Sequence, residues 1–69
     1  MQGNGLNGRE VLIEFHSIGS LVKVTAMDTA TLTEISIQGS ASSSELTLKT
    51  AALRRLEYVL QKNGVLIKS

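Results

Sequence analysis

The segment that most constrains the fold is residues 44–64, SELTLKTAALRRLEYVLQKNG, because one face and both ends carry helix signals. Ser42 followed by Glu45 fits a capping box at the start. Asn63-Gly64 supplies a residue that tolerates positive φ at the end, and Val65 is placed to pack back on the last turn. At about 100° per residue, the apolar side chains share one arc of roughly 160°. They are Leu46, Leu48, Ala52, Leu53, Leu56, Val59 and Leu60. The segment predicts an amphipathic helix that covers an apolar surface.

Two alternating segments before the helix predict a β-hairpin. Residues 11–16 (VLIEFH) and 21–28 (LVKVTAMD) each place apolar side chains on one face, and Gly19 lies in the turn between them. A four-residue loop over 17–20 sets Phe15 opposite Val22 on the inner face and Glu14 opposite Lys23 on the outer face. A slip by one residue would destroy this match, so the pattern specifies the register.

A second hairpin follows through residues 29–32 to residues 33–38 (TEISIQ). Thr-Ala suits a two-residue primed turn poorly, which favours a longer loop that pairs Val24 with Ile37 and Ala26 with Ile35. The expected fold is therefore α+β: a three-stranded antiparallel β-meander with one C-terminal amphipathic helix on its inner face, in the order βββα. The expected organisation is a flexible N-terminal tail over 1–8, one domain over 9–64 and a C-terminal tail over 65–69.

Length and composition exclude several classes of protein. The chain has 69 residues, no Cys, one His, two aromatic residues and a net charge of +1. A chain of this size buries only about 60% of its unfolded surface, so self-association is a reasonable way to bury more. The composition predicts no disulfide framework, no metal site and no cofactor. No apolar run approaches the ~20 residues of a membrane span, which leaves the cytoplasm as the expected location.

The sequence contains a glycine motif typical of nucleotide binding and a His that could be catalytic, but the predicted strands exclude both functions. Gly3, Gly5 and Gly8 form a literal G-x-G-x-x-G, but the dinucleotide fingerprint needs a strand before it and a helix after it. His16 could pair with Glu14 on the same strand face, but that pair has no defined nucleophile and no visible pocket. It could also form a triad with Asp28, but the predicted register separates these two by seven residues, or roughly 23 Å. The chain is therefore not expected to be an enzyme.

Two surfaces are candidates for binding. The outer sheet face mixes apolar and charged side chains, and a homodimer or another protein could bind there or along an edge strand. The residues proposed for this face are Leu12, Glu14, His16, Leu21, Lys23 and Met27. The alternative is a weak nucleic-acid or phosphate binder that uses Arg54, Arg55 and Lys62 on the helix, although the nearly neutral charge and the acidic neighbours disfavour it. The favoured function is an interaction or structural module.

Four segments of the chain together resemble a family of small uncharacterised proteins of alphaproteobacteria. They are IEFHSIG (13–19), VKVTAMD (22–28), TEISIQG (33–39) and ALRRLEYVLQK (52–62). The resemblance departs at Thr29-Ala30-Thr31, where the family tends to carry a turn with Pro or Gly. It implies the same small α+β domain and no established activity.

Overall fold

The chain forms one antiparallel sheet followed by one helix. The computed structural model describes residues 6 and 8–66. Strands β1 (Val11–Ile18), β2 (Leu21–Asp28) and β3 (Thr33–Ser40) lie in the spatial order β1-β2-β3, and helix α1 spans Glu45–Lys62. The predicted α+β meander with a C-terminal helix is confirmed.

The loop of the first hairpin is shorter than the sequence pattern predicted. Ile18 pairs with Leu21, so the loop contains only Gly19 and Ser20. Gly19 has a φ of +60° and Ser20 keeps a negative φ, the combination found in a type II′ turn with Gly at its first central position. This turn matches the twist of the strands and adds two more pairs to the ladder. The predicted four-residue loop is therefore wrong.

The shorter loop shifts the register by two residues without exchanging the two faces. Phe15 pairs with Val24 instead of Val22, and Val11 pairs with Asp28. Since side chains alternate with a period of two, a shift of two leaves every inward side chain inward. The predicted faces of the first hairpin are right, and the predicted partners within each face are wrong.

The second hairpin has the predicted register. Val24 pairs with Ile37 and Ala26 pairs with Ile35, and residues 29–32 form the loop. Leu32 takes a φ of +61°, and its N–H donates to the Asp28 carbonyl oxygen at 2.7 Å. The Asp28 carbonyl oxygen thus closes the loop, and its side chain accepts hydrogen bonds from Thr31 of the same loop.

Strand β3 continues past the predicted end at residue 38 through Gly39 and Ser40. Gly39 lies beneath the helix, and a Cβ atom there would overlap Cδ2 of Leu48. The missing side chain lets the first turns of α1 approach the end of β3 closely. Gly39, which the sequence pattern left outside the third strand, is thus part of the helix–sheet contact.

The helix begins two residues later than the capping-box pattern indicated. Ser44 is the N-cap, and its Oγ accepts a hydrogen bond from the Thr47 N–H at 3.1 Å. Ser42 instead contacts Ser40 through their hydroxyl oxygens at 2.7 Å. The predicted box of Ser42 and Glu45 is therefore wrong, because Ser42 is engaged in the crossover two residues before the N-cap.

The end of the helix is the predicted Schellman motif. Gly64 has a φ of +80° and its N–H donates to the Gln61 carbonyl oxygen at 3.1 Å. The Val65 N–H donates to the Leu60 carbonyl oxygen at 2.9 Å, and Val65 packs against the core. Both hydrogen bonds that define the motif are present.

The core lies between the helix and the inner sheet face. The helix buries one stripe at four-residue spacing, made of Leu48, Ala52, Leu56 and Leu60. Leu46 is 72% exposed, so the prediction that it belongs to the buried arc is wrong. It lies about 100° from the centre of the stripe, which directs its side chain away from the buried face of the helix.

Helix α1 packs on β2 and β3 more than on β1. On the inner face, Val24 and Ala26 of β2 are fully buried, whereas Ile13 and Phe15 of β1 are only partly buried. The centre of the core therefore lies between α1 and the middle strand β2.

Residues at both ends of the described chain contribute to this core. Leu6, within the segment predicted as a tail, is 8% exposed and belongs to the core cluster, and Leu66 packs against it. Gly3 and Gly5 of the glycine motif lie outside the described residues. Gly8 is followed by β1 rather than by a helix, unlike the arrangement of a dinucleotide-binding motif. No helix within residues 6 and 8–66 is long and apolar enough to cross a membrane.

Candidate interaction face

No other element of the described chain packs on the sheet side opposite α1, and we call this side the outer face. It comprises the side chains that point away from α1 on the three strands, which form four cross-strand rows. In order along the strands the rows are Leu12–Met27–Glu34, Glu14–Thr25–Ser36, His16–Lys23–Gln38 and Ile18–Leu21–Ser40. All six residues proposed from sequence for this face lie on it.

Apolar side chains occupy the two ends of the outer face. Leu12 is 49% exposed at one end, and Ile18 and Leu21 are 58% and 45% exposed at the other. Met27 is partly buried beside Leu12. Sequence reasoning missed Ile18 because the four-residue loop placed it in the turn. Its apolar character directly before a Gly was the available signal that the strand continued.

The two central rows of the outer face are polar. Thr25 and Ser36 lie 3.1 Å apart through their hydroxyl oxygens. Glu14 stands opposite Thr25, while Lys23 stands opposite His16. The predicted pairing of Glu14 directly with Lys23 is therefore wrong. The two residues are diagonal neighbours, about 7 Å apart by usual strand geometry. Among the described residues they form no ion pair.

His16 and Asp28 cannot act together within one chain. His16 points outward and Asp28 points inward. The observed register puts five residues between their rungs, or roughly 17 Å, instead of the seven that the predicted register implied. The exclusion of a triad stands, and the opposite faces are the stronger reason for it.

A partly buried ion pair closes the inner face at the Asp28 end. Arg9 donates from Nε to Oδ1 of Asp28 at 3.0 Å and from Nη2 to Oδ2 at 3.0 Å. Thr31 donates to Oδ2 from its hydroxyl at 2.7 Å and from its backbone N–H at 3.1 Å. The Asp28 side chain is fully buried, whereas that of Arg9 is 23% exposed. The carboxylate therefore ties the segment before β1 to the loop after β2.

These hydrogen bonds favour the charged form of Asp28. The Arg9 hydrogen bonds, followed by the Thr31 hydroxyl, lower the pKa of Asp28 to about 2. The same contact raises the pKa of Arg9. Both partners are thus held ionised, and the pair joins the segment before β1 to the loop after β2.

Sequence reasoning did not assign this pair, although one signal was available. Asp28 has the same parity in β2 as Val22, Val24 and Ala26, so the alternation puts a carboxylate on the apolar side. A buried carboxylate needs a partner. The cation nearest the expected position along the neighbouring chain was Arg9.

The basic edge of α1 contains an exposed aromatic ring between two cations. Cζ of Arg55 lies 5.5 Å from the centroid of the Tyr58 ring, and Nζ of Lys62 lies 5.9 Å from it. Tyr58 is 51% exposed. Of the three cations predicted for this edge, Arg55 and Lys62 thus meet around Tyr58, while Arg54 is exposed one position away. An exposed aromatic ring thus accompanies two of these three cations.

No group of three or more His, Asp or Glu side chains in the described part of the chain is arranged to hold a metal ion. His16 has only Glu14 as an acidic neighbour on its own face of β1, and Asp28 is saturated by Arg9 and Thr31.

Comparison with known proteins assigns the chain to a family. No curated protein and no solved structure matches it. The profile of DUF6898, a domain of unknown function, matches residues 8–63, which include all three strands and the helix. This match covers most of the 69 residues. The chain therefore belongs to the DUF6898 family.

Proposed function

We propose that the protein is a small non-enzymatic interaction module whose outer face is its contact surface. The observation that carries the proposal is the pair of apolar ends on a sheet face that no other element of the described chain covers. The inner face is occupied by α1 and by the Arg9–Asp28 pair, so it has no comparable free surface.

The arrangement of the outer face suits a protein contact. Apolar ends supply area that is stabilised when water is removed, and the polar rows between them restrict the partner by hydrogen bonding and charge. Each exposed Leu or Ile would be ordinary alone. Leu12 with Met27 and Ile18 with Leu21 instead form two matched patches on adjacent strands.

The non-enzymatic part of the proposal follows from the positions of the titratable groups. His16 lies on the open face in a row with Lys23 and Gln38 and without a Ser, Thr or Cys, and Asp28 is bound to Arg9. An acid–base site needs groups within hydrogen-bond reach of a bound substrate, usually in a concave pocket. The proposed bacterial, specifically alphaproteobacterial, origin rests on the sequence resemblance. The proposed cytoplasmic location rests on the lack of an apolar run of the length of a membrane span.

Photo-crosslinking in the native cell tests the proposal directly. p-Benzoylphenylalanine in place of Lys23, at the centre of the outer face, is expected to give a discrete crosslinked protein band on irradiation. The same group in place of Arg54, on the opposite side of the molecule, is expected to give none. Mass spectrometry then identifies the crosslinked chain.

A second pair of variants tests whether the crosslink depends on the outer face. Leu21→Glu should remove the Lys23 crosslink, whereas Leu46→Glu should leave it, because Leu46 is equally apolar but lies on the helix. Crosslinks from position 54 alone, or crosslinks at position 23 that survive Leu21→Glu, would show that the outer face is not the contact surface.

A second candidate function is weak binding of nucleic acid or phosphate at the basic edge of α1. The observation that favours it is Tyr58, half-exposed between Arg55 and Lys62. A ring flanked by cations can stack on a base while the cations contact phosphates. The near-neutral net charge and Glu57 on the same helix weaken the attraction.

This alternative makes a separate prediction. Fluorescence anisotropy with a single-stranded oligonucleotide at low salt should detect binding that weakens as salt rises. Arg55→Glu with Lys62→Glu should then lower affinity at least about tenfold, whereas Lys49→Glu should change it much less. No anisotropy change at low salt would rule the alternative out.

A further inference from the structure

We propose that the occupant of the outer face is a second copy of this chain, docked face to face about a two-fold axis that runs across the strands. This inference rests on the proposed use of the outer face and names its partner. It is carried by the order of the four rows on β1 and β2, which reads apolar, acidic, basic and apolar along the strands, while Glu34 and Ser40 of β3 lie at the two ends of the face.

A two-fold axis in the plane between two stacked sheets and perpendicular to the strands places each strand over its own copy and reverses its direction. The first row then meets the fourth row of the partner, and the second meets the third. In β1, Leu12 lies over Ile18 and Glu14 lies over His16. In β2, Met27 lies over Leu21. Stacked sheets are about 10 Å apart, so these side chains interdigitate.

The charges of the outer face agree with this arrangement. Glu14 meets His16 directly and Lys23 diagonally, and Lys23 itself meets the hydroxyl of Thr25. Glu34 meets Ser40 at the edge of the contact. No like-charged pair is brought together, and both apolar ends meet apolar ends. Such self-complementarity is what an isologous interface requires.

The other two-fold choice, with the axis along the strands, fits poorly. It would stack Lys23 on Lys23 and place Leu12 against Glu34. Juxtaposed like charges and an apolar side chain facing a carboxylate both disfavour association. The row order therefore selects the axis across the strands.

Pairing of two β1 edges would also make a two-fold dimer, but it leaves part of the outer face unexplained. Leu21 and Met27 belong to the central strand β2 and would stay uncovered. Stacking of the faces covers the apolar residues of both strands at once. Edge pairing is therefore an outcome that the experiment must distinguish.

The size of the face predicts a weak, concentration-dependent dimer. Three strands of eight residues present a face of roughly 14 by 26 Å, which is small against the ~800 Å² per partner of a standard interface. Its dissociation constant is therefore expected in the micromolar range.

A charge-exchange experiment by sedimentation equilibrium tests both the partner and the orientation. Glu14→Lys alone should face His16 and Lys23 of the partner, and Lys23→Glu alone should face Glu14. Each variant is expected to dimerise at least about tenfold more weakly than the wild type. An equimolar mixture of the two variants should form a heterodimer of near wild-type affinity, because each new charge then meets an opposite one.

Variants of apolar residues check the same contact without changing Glu14 or Lys23. Met27→Glu and Leu12→Glu should abolish dimerisation and raise solubility while the circular dichroism spectrum is retained. Leu46→Glu is the matched control, since it adds the same charge at a 72% exposed Leu on the helix, and it should dimerise normally.

The outcomes that overturn the inference are separate from those that overturn the proposed function. A wild type that is monomeric up to millimolar concentration excludes a second copy, while crosslinks from position 23 to a different protein would still support the interaction module. A Lys23→Glu variant that dimerises normally indicates a contact away from Lys23, such as pairing of edge strands, and overturns the stacked arrangement. A monomer without crosslinks from position 23 overturns both.

Discussion

Leu56→Ala is expected to unfold most of the protein at room temperature. Leu56 is fully buried in the centre of the helix stripe, in a core built largely of aliphatic side chains. Truncation of a buried Leu costs about 2–5 kcal/mol because it removes buried apolar atoms and leaves a cavity. A single core in a chain this short supplies only about 3–5 kcal/mol in total. Urea titration followed by circular dichroism at 222 nm measures the loss.

Leu46→Ala is the matched control for this prediction. It makes the same chemical change in the same helix at a side chain that is 72% exposed. We expect its free energy of unfolding to stay within about 0.5 kcal/mol of the wild type. Equal losses for Leu46→Ala and Leu56→Ala would contradict the buried stripe and thus the orientation of α1 on the sheet.

Asp28→Ala is the second substitution expected to have a large effect. It removes two hydrogen bonds from Arg9 and two from Thr31 and leaves a guanidinium facing the buried end of the sheet. Loss of one partner of a buried charge pair costs about 2–4 kcal/mol, reduced here from the upper limit because water can reach Arg9. Asp28→Asn should lose less, since the amide can still accept one hydrogen bond from Thr31.

The pair also predicts how stability depends on pH. The Asp28 carboxyl has a pKa of about 2 in the folded protein, below its usual value near 4 in an unfolded chain. Its contribution is therefore complete above about pH 4 and is lost as the pH falls through about 2. Urea titrations between pH 7 and pH 2 should show wild-type stability falling in this range, and the Asp28→Asn variant should lack that component.

Two further variants separate the ion pair from general effects of charge. Thr31→Val removes the 2.7 Å hydroxyl bond and keeps the shape, so it should cost about 1 kcal/mol. Glu34→Gln neutralises an exposed carboxylate on the other face and should leave the pH profile unchanged. An Asp28→Asn variant with the same pH profile as the wild type would show that the pair does not contribute to acid stability.

The outcome for the first hairpin shows what alternation can and cannot predict. The pattern in β1 and β2 placed Val11, Ile13 and Phe15 inward, and they are inward. It could not distinguish registers that differ by two residues, because both bury the same side chains. The loop made the choice, through the positive φ of Gly19.

For the helix too, one feature could be predicted from the local sequence and another could not. Its end was readable because the Schellman motif depends on residues adjacent in sequence, with Gly64 at the left-handed position. The predicted buried face was too wide, because the helical wheel places Leu46 and Leu56 in the same apolar arc although only Leu56 is buried. Whether an apolar position is covered depends on where the sheet ends beneath the helix, and a helical wheel carries no such information.

The candidate sites depend still more on the folded chain. The outer-face residues could be named from their parity, yet their row order required the register. The Arg9–Asp28 pair joins residues 19 apart in sequence, and the Arg55–Tyr58–Lys62 cluster depends on side-chain rotamers along one helix edge.

The capped amphipathic segment of residues 44–64 and the strand alternation are thus sufficient to predict that one helix packs on one face of a three-stranded sheet. This is because the helix and strand periods are local properties of the chain. Which residues meet across those layers is a property of the folded protein. A turn conformation at Gly19, the close approach of Leu48 over Gly39 and the desolvation of Asp28 each choose among arrangements that the local periods leave equivalent. The proposed dimer contact depends on one such choice, since the two-residue loop aligns the acidic row with the basic row of a second copy.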